Sequence, residues 1–213
     1  MKYIQSFPDV RFITASEAAD VVWADRARGR EFSPKELREI ASAVGDDATY
    51  QVRGELALAP SEILLLLNTF VLRNGPGLVR LTDTPFGPST QVSPLTAPLI
   101  ADASQFDRTA ADVDAYLRKH GRVPPTVWLG SAAVPPEAYL AALARVAIER
   151  IDGKPSASVE VRPATYSVGA RVADDSPKIW GWLFPKGWHA PALMELARRQ
   201  AWTIKPAILH GTE

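Results

Sequence analysis

Apolar residues recur at helical spacing through Leu37, Ile40, Ala41 and Val44, just after Ser33 and Pro34. The segment FSPKELREIASAVG therefore predicts an amphipathic helix with Ser33 as its N-cap, Pro34 at its first position and Gly45 as its C-cap. Two short extended runs follow in TYQVRGELAL, residues 49–58, broken at Arg53 and Gly54, which predicts a tight hairpin. APSEILLLLNTFVLRNG is apolar on most sides and predicts a buried helix ended by Asn74 and Gly75. GLVRL, residues 77–81, returns as a strand. Upstream, VRFIT (10–14) reads as a short strand, and Ser16 fits the N-cap of a short helix, SEAADVVWAD.

The same succession of patterns then recurs. Thr109 fits the N-cap of a helix AADVDAYLRKHG, VPPTVWLGSAAV carries a hairpin, PPEAYLAALARVAIERIDG is a second long helix, and SASVEVRPATY (156–166) supplies a strand. Laid without gaps at an offset of 76, Leu37–Gly77 and Val113–Gly153 share seven identities in 41 positions, a weak figure whose kind matters more than its size. Gly45 falls on Gly121, Gly54 on Gly130, Gly77 on Gly153 and Pro60 on Pro136, places where backbone geometry restricts choice. The expected fold is α+β, an internal duplication of a helix-hairpin-helix unit about a pseudo-twofold, with an aromatic-rich tail that contains a helix.

The boundaries follow: 1–31 for the N-terminal strand and helix, 32–81 and 106–166 for the two units, 82–105 for a proline-rich connection, and 167–213 for the tail packing on both. In the tail, PALMELARRQAW reads as a helix whose Leu193, Met194 and Leu196 dock on the units. Four of the six tryptophans lie there, at Trp180, Trp182, Trp188 and Trp202.

Composition narrows the chemistry. Lys plus Arg and Asp plus Glu both number 24, so no basic field attracts nucleic acid, and no nucleic-acid partner is expected. No cysteine is present, which removes disulfides, thiolate metal sites and thiol nucleophiles together. No apolar run approaches the roughly 20 residues of a membrane span. The start of the chain carries no apolar stretch of signal-peptide length, so an export signal would have to precede it.

Catalytic signals are equally sparse. His120, His189 and His210 stand in no metal-binding spacing; His120 reads as a solvated residue at a helix end and His210 as part of the tail's end. There is no GxSxG elbow, no phosphate-cradling GxxxxGK[ST] loop and no GxGxxG. The acidic pairs Asp46–Asp47 and Asp174–Asp175 fall in turns, where solvated residues are the ordinary reading. No enzyme, metal or cofactor is expected. The aromatic residues are the better lead: Trp128 lies in PTVWLG, and alternation at Trp180, Trp182 and Phe184 would align three rings on one strand face. Such rings stack on sugars, anchor interfaces or pack as core.

FDRTAADVDAYLRKHGRVPPTVWLGSAAVPPEAYLAALARVA (106–147) resembles the pseudomurein-binding repeat of archaeal and bacterial surface proteins. The matching features are a helix running into a Gly-Arg-x-Pro turn at Gly121, Arg122 and Pro124, a Val-x-x-Gly strand at Val127–Gly130, and a helix carrying Tyr139 and Leu140. The first copy keeps Gly54, Pro60 and the long helix without the turn. FPDVRFITASEAADV is similar, over a short stretch, to the closing strand and helix of a polysaccharide deacetylase barrel, whose metal-binding Asp and paired His have no counterpart here. The resemblance implies a non-catalytic domain outside the cell or on its surface that binds cell-wall or surface polysaccharide. Trp128 and Tyr139 would stack on sugar rings, Arg122 would donate to hydroxyls or instead cap the preceding helix, and Trp180, Trp182 and Trp188 would extend the site. The alternative is a structural protein that self-assembles as a homo-oligomer through its aromatic and proline-rich segments.

Overall fold

Ser33 starts the first long helix in the way its sequence demands. Its hydroxyl accepts from the Glu36 amide at 3.3 Å, and Glu36 in turn accepts from the Ser33 amide at 2.9 Å, a reciprocal box that satisfies two otherwise unpaired donors. The computed structural model describes residues 12–17, 27–73, 75, 77–91, 93–172, 174–176 and 183–207. In it β1 (Glu31–Phe32), α1 (Pro34–Val44), β2 (Gln51–Arg53), β3 (Leu56–Leu58), α2 (Pro60–Arg73) and β4 (Val79–Arg80) follow one another. The same order returns in β5 (Leu99–Asp102), α3 (Ala103–His120), β6 (Val127–Leu129), β7 (Ala132–Val134), α4 (Pro136–Ile151) and β8 (Ser158–Val161). A 3-10 turn (Ser167–Arg171), α5 (Pro191–Gln200) and a second 3-10 turn (Ala201–Thr203) complete the mixed α+β chain.

Among the described residues every ladder is a two-stranded antiparallel ribbon. β2 pairs β3 and β6 pairs β7 as tight hairpins, whereas β1 pairs β4 and β5 pairs β8 across the length of a unit. Arg53 faces Leu56 and Leu129 faces Ala132, so each hairpin turns through two residues, beginning with Gly54 at φ 60° and Gly130 at φ 65°.

Several boundaries differ from the sequence expectation. The second unit's first helix begins at Ala103 with Asp102 as N-cap, not at Thr109, because ASQFDR contains no breaker and Phe106 continues the buried series Phe106, Ala110, Val113, Leu117. Residues 99–102, expected in the proline-rich connection, form β5 instead, since β8 offers a partner along Leu99–Val161 to Asp102–Ser158. Residues 12–14 lie in no strand, and Thr14 rather than Ser16 caps the following turn, exchanging bonds with Glu17 at 2.6 and 3.1 Å. In α5 only Met194 is buried, while Leu193 and Leu196 remain exposed.

The core lies where helices of the two halves meet. α1 packs on α4, α3 packs on α2, and α2 packs on α4, so the first helix of each half rests chiefly on the second helix of the other. α2 and α4 are buried along nearly their whole lengths, and each fully buried Leu in them contributes roughly 1.5–3 kcal/mol. One buried polar group fixes their register: Asn68 of α2 donates to the Ala110 carbonyl of α3 at 3.0 Å and accepts from the Tyr139 hydroxyl of α4 at 2.6 Å. Two isolated bridges repeat the exchange. Asp47, after α1, pairs with Thr165 beyond β8, and Arg122, after α3, pairs with Phe86 beyond β4.

Asp47 is more than a solvated turn residue. Its carboxylate accepts from the Thr165 hydroxyl at 2.7 Å, from the Ser167 amide at 2.9 Å and from the Ser167 hydroxyl. Burial pulls its pKa upward, yet the Ser167 and Thr165 donors prevail and hold it below the usual carboxylate range. Asp46 pairs with Arg145 at 2.9 Å. The tail docks through Trp202, stacked on Tyr166 at 5.3 Å, and through Lys205, whose ammonium lies 3.1 Å from the buried Glu62 carboxylate. Glu62 also accepts from Thr84 at 2.6 Å and from the Ala59 amide at 2.8 Å, so this charge is fully partnered. No helix among the described residues is long and apolar enough to cross a membrane.

Gly54→Val and Gly130→Val should each destabilise the protein by more than about 1 kcal/mol, because a branched side chain resists positive φ. A Cβ at Gly54 meets nothing within 4 Å and one at Gly130 meets only the movable end of the Gln105 side chain, so chemical denaturation should show comparable losses at the two positions. Asp47 and Glu36 both titrate below their ordinary values, Glu36 through its Ser33 bonds, so their stabilisation is present above the unfolded pKa and lost as pH falls. Thermal midpoints should decline from about pH 5 to about pH 3, and Asp47→Asn should lower the midpoint at neutral pH while shallowing that decline.

Candidate functional site

Strand alternation decides which way the second hairpin shows its tryptophan. Val127 and Leu129 are buried, so Trp128 between them points outward and is 60% exposed. The hairpin is tied back to its own first helix by the Thr109 hydroxyl, which donates to the Trp128 carbonyl at 3.1 Å. Thr109, Asp112, Val113 and Tyr116 recur at helical spacing on the α3 face toward the hairpin. Between this face and β6 runs a groove of 290 Å³, lined also by Pro124, Thr126 and Trp128. Tyr116 is half-buried, and its ring lies 4.3 Å from that of His120. The groove thus offers two aromatic faces with a carboxylate and hydroxyls beside them.

The remaining predicted residues are scattered. Tyr139 is 1% exposed: its ring stacks on Phe106 at 5.4 Å, its hydroxyl is spent on Asn68, and burial pushes the phenol pKa up. It is a core residue closed to any surface ligand, because α2 and α3 cover the face of α4 that carries it. Arg122 is half-buried, and its backbone is framed by Phe86, whose amide donates to the Gly121 carbonyl at 2.9 Å and whose carbonyl accepts from Val123 at 2.8 Å. Helix capping before it is done by the Gly121 amide, which donates to the Leu117 carbonyl with Gly121 at φ 61°. Phe86 itself is 62% exposed beside Arg122. Trp188 is half-buried and stacks on Phe184 at 4.1 Å. Trp180 and Trp182 lie outside the described residues.

Asp112, Tyr116 and Thr126 escaped the sequence reading. Their only signal was joint: Asp112 and Tyr116 share a helical face, and Trp128 alternates outward, but nothing local states that the hairpin folds onto that face.

The first half has a groove in the same place, between α1 and the β2–β3 hairpin, with a volume of 470 Å³. At the 76-residue offset Glu36 stands for Asp112, Ile40 for Tyr116 and Val52 for Trp128. Its polar rim is already paired, Arg30 with Glu36 at 2.7 Å and Arg53 with Glu39 at 2.5 Å. Only the second groove carries the aromatic pair.

Among the described residues no group of three or more His, Asp or Glu side chains is placed to hold a metal ion. His120 is exposed at the end of α3, and His189 lies 3.6 Å from Asp175. Comparison with known proteins adds no relative to this geometry: no family, no curated protein and no solved structure matches the chain.

Proposed function

We propose that this protein is a non-catalytic cell-surface domain that binds wall or surface polysaccharide, and that it arose by duplication of one strand-helix-hairpin-helix-strand unit. The observation that carries the binding reading is the 60% exposed Trp128, which lines one groove with Tyr116, Asp112 and Thr126. A large ring kept in water by strand alternation, when neighbouring Val127 and Leu129 are buried, is available to stack on the apolar face of a sugar. Asp112 and the hydroxyls of Tyr116 and Thr126 supply partners for the ring's hydroxyl groups. The resemblance of 106–147 to the pseudomurein-binding repeat points to the same class of ligand.

Duplication is supported by the matching order of elements and by the reciprocal packing of α1 on α4 and α3 on α2. The paired bridges Asp47–Thr165 and Phe86–Arg122 follow the same exchange. A twofold arrangement leaves one groove free to specialise while the other keeps its ion pairs as structure.

Trp128→Ala should weaken co-sedimentation of the purified chain with insoluble cell-wall polysaccharide by at least about tenfold, equivalent to roughly 1.4 kcal/mol. Undiminished co-sedimentation would remove the groove from the binding surface, and large assemblies sedimenting without wall material would favour self-assembly. Tyr139→Phe provides the contrast. It leaves Asn68 short of a donor in the core and should cost about 1–3 kcal/mol of stability while wall binding by the folded protein stays unchanged.

A further inference from the structure

Hydrogen-bond alternation leaves one edge of β5 open. The Ala103 amide donates to the Ala157 carbonyl at 2.9 Å, and the ladder continues in register from Asp102–Ser158 to Leu99–Val161. Leu99 and Ala101 therefore bond to β8, while Ile100 and Asp102 turn their main-chain groups away from it. Among the described residues the Ile100 amide and carbonyl and the Asp102 amide take no hydrogen-bond partner. The Ile100 side chain is 77% exposed, and β5 packs on β8 and the adjoining α3.

Neither of the comparable edges is open in this way. On the far side of the same ribbon the Arg145 guanidinium donates to the Glu160 carbonyl at 3.1 Å and occupies it. In the first half, β1 spans two residues, and two positions before the helix cap it carries the exposed Glu31 where the second half has Ile100. Short length and charge both discourage the addition of another strand. β5 is four residues long and apolar from Leu99 to Ala101.

The open edge is complementary to itself. Laid antiparallel against a second copy with Ile100 opposite Ile100, each Ile100 amide meets the other's carbonyl, and each Asp102 amide meets the other's Pro98 carbonyl. The two groups left out of this register have no bond to make. Pro98 carries no N–H, and the carbonyl of Asp102, the N-cap, already accepts inside α3. Pairing Ile100 with Asp102 or with Pro98 instead would waste its amide or its carbonyl. The facing residues are Ile100 with Ile100, Leu99 with Ala101 and Pro98 with Asp102, so no like charges meet.

We propose that β5 is a dimerisation edge: two copies of this chain pair their β5 strands antiparallel about a twofold axis at Ile100, making one continuous sheet in the order β8, β5, β5, β8. The contact covers the exposed Ile100 and satisfies the open amides together. It uses the same residues on both copies and closes on itself, so it yields a dimer and nothing larger. It does not depend on what the Trp128 groove binds.

The test is sedimentation equilibrium of the full chain from about 1 μM to about 1 mM, over which the 23.2 kDa protomer should give way to a particle of twice that mass. Ile100→Pro removes the outward amide and spares the β8 ladder, and Ile100→Lys keeps the amide but sets like charges opposite each other. Each should weaken the dimer by at least about tenfold. Because the chain has no cysteine, Ile100→Cys reads the register directly. Cα atoms of such a pair lie about 5.5 Å apart, within disulfide reach, so mild oxidation should link the dimer. Val52→Cys, 54% exposed on the first hairpin, should stay unlinked. A wild type that remains monomeric throughout or assembles beyond the dimer overturns the proposal. So does a dimer that persists in Ile100→Pro and Ile100→Lys, or equal cross-linking at positions 52 and 100. Should Ile100→Pro not fold, Ile100→Lys and the cross-linking decide.

Discussion

Contact between α2 and α4 is the constraint on which the rest of the molecule depends. Both helices are apolar around most of their circumference, so neither can be stable with any large face in water. Each covers part of the other, and the remaining flanks are taken by α3 and α1, drawn from opposite halves of the chain. Asn68 makes the arrangement specific: in a core of leucines and alanines its amide donates to the Ala110 carbonyl and its side-chain oxygen accepts from the Tyr139 hydroxyl. A sliding of either helix would leave these groups unpaired in a low-dielectric interior, which is costly.

Once the four helices are interlocked, the hairpins have little freedom. Each follows the first helix of its half and precedes the second, and the second hairpin lies along the α3 face that carries Thr109, Asp112, Val113 and Tyr116. Alternation then buries two residues of β6 and exposes the one between. The two grooves therefore share a framework and differ in side chains alone. Ion pairs fill the rim of one; the other is aromatic. The framework tolerates that difference because the residues in question are at the surface, away from the α2–α4 contact.

The connection and the tail contribute a different kind of order. Lys205 and Thr84 meet at Glu62, a carboxylate whose side chain is 1% exposed, and Gly87 nests against the Arg199 carbonyl where no side chain fits. Long-range polar contacts of this sort bring segments without regular structure to definite positions, and the connection, the start of α4 and the tail together line a cavity of 530 Å³ with Pro88, Pro94, Pro136 and Trp202. None of the segments would build it alone.

The local rules of the chain were readable because they act within a turn or a hairpin. Ser33 and Glu36, Pro34, Gly54, Gly130 and the apolar spacing of α1, α2 and α4 set where those elements begin, turn and bury a face, since capping, φ and periodicity involve residues a few positions apart. The place of Trp128 in a hairpin strand was legible for the same reason, and alternation between Val127 and Leu129 turns it outward. Tyr139 was misjudged as a stacking residue because its fate depends on Asn68, separated from it by 71 positions. Tyr116 and Asp112 went unnoticed because their place beside Trp128 depends on the hairpin folding onto α3. The strand at Leu99–Asp102 exists only because β8 lies beside it, and Asp47 became an anchor only when residues 165–167 arrived. The sequence by itself determined the caps, turns and apolar periodicities that act over a few positions; the tertiary structure decided which faces meet and are buried, because burial depends on whatever part of the chain supplies the cover.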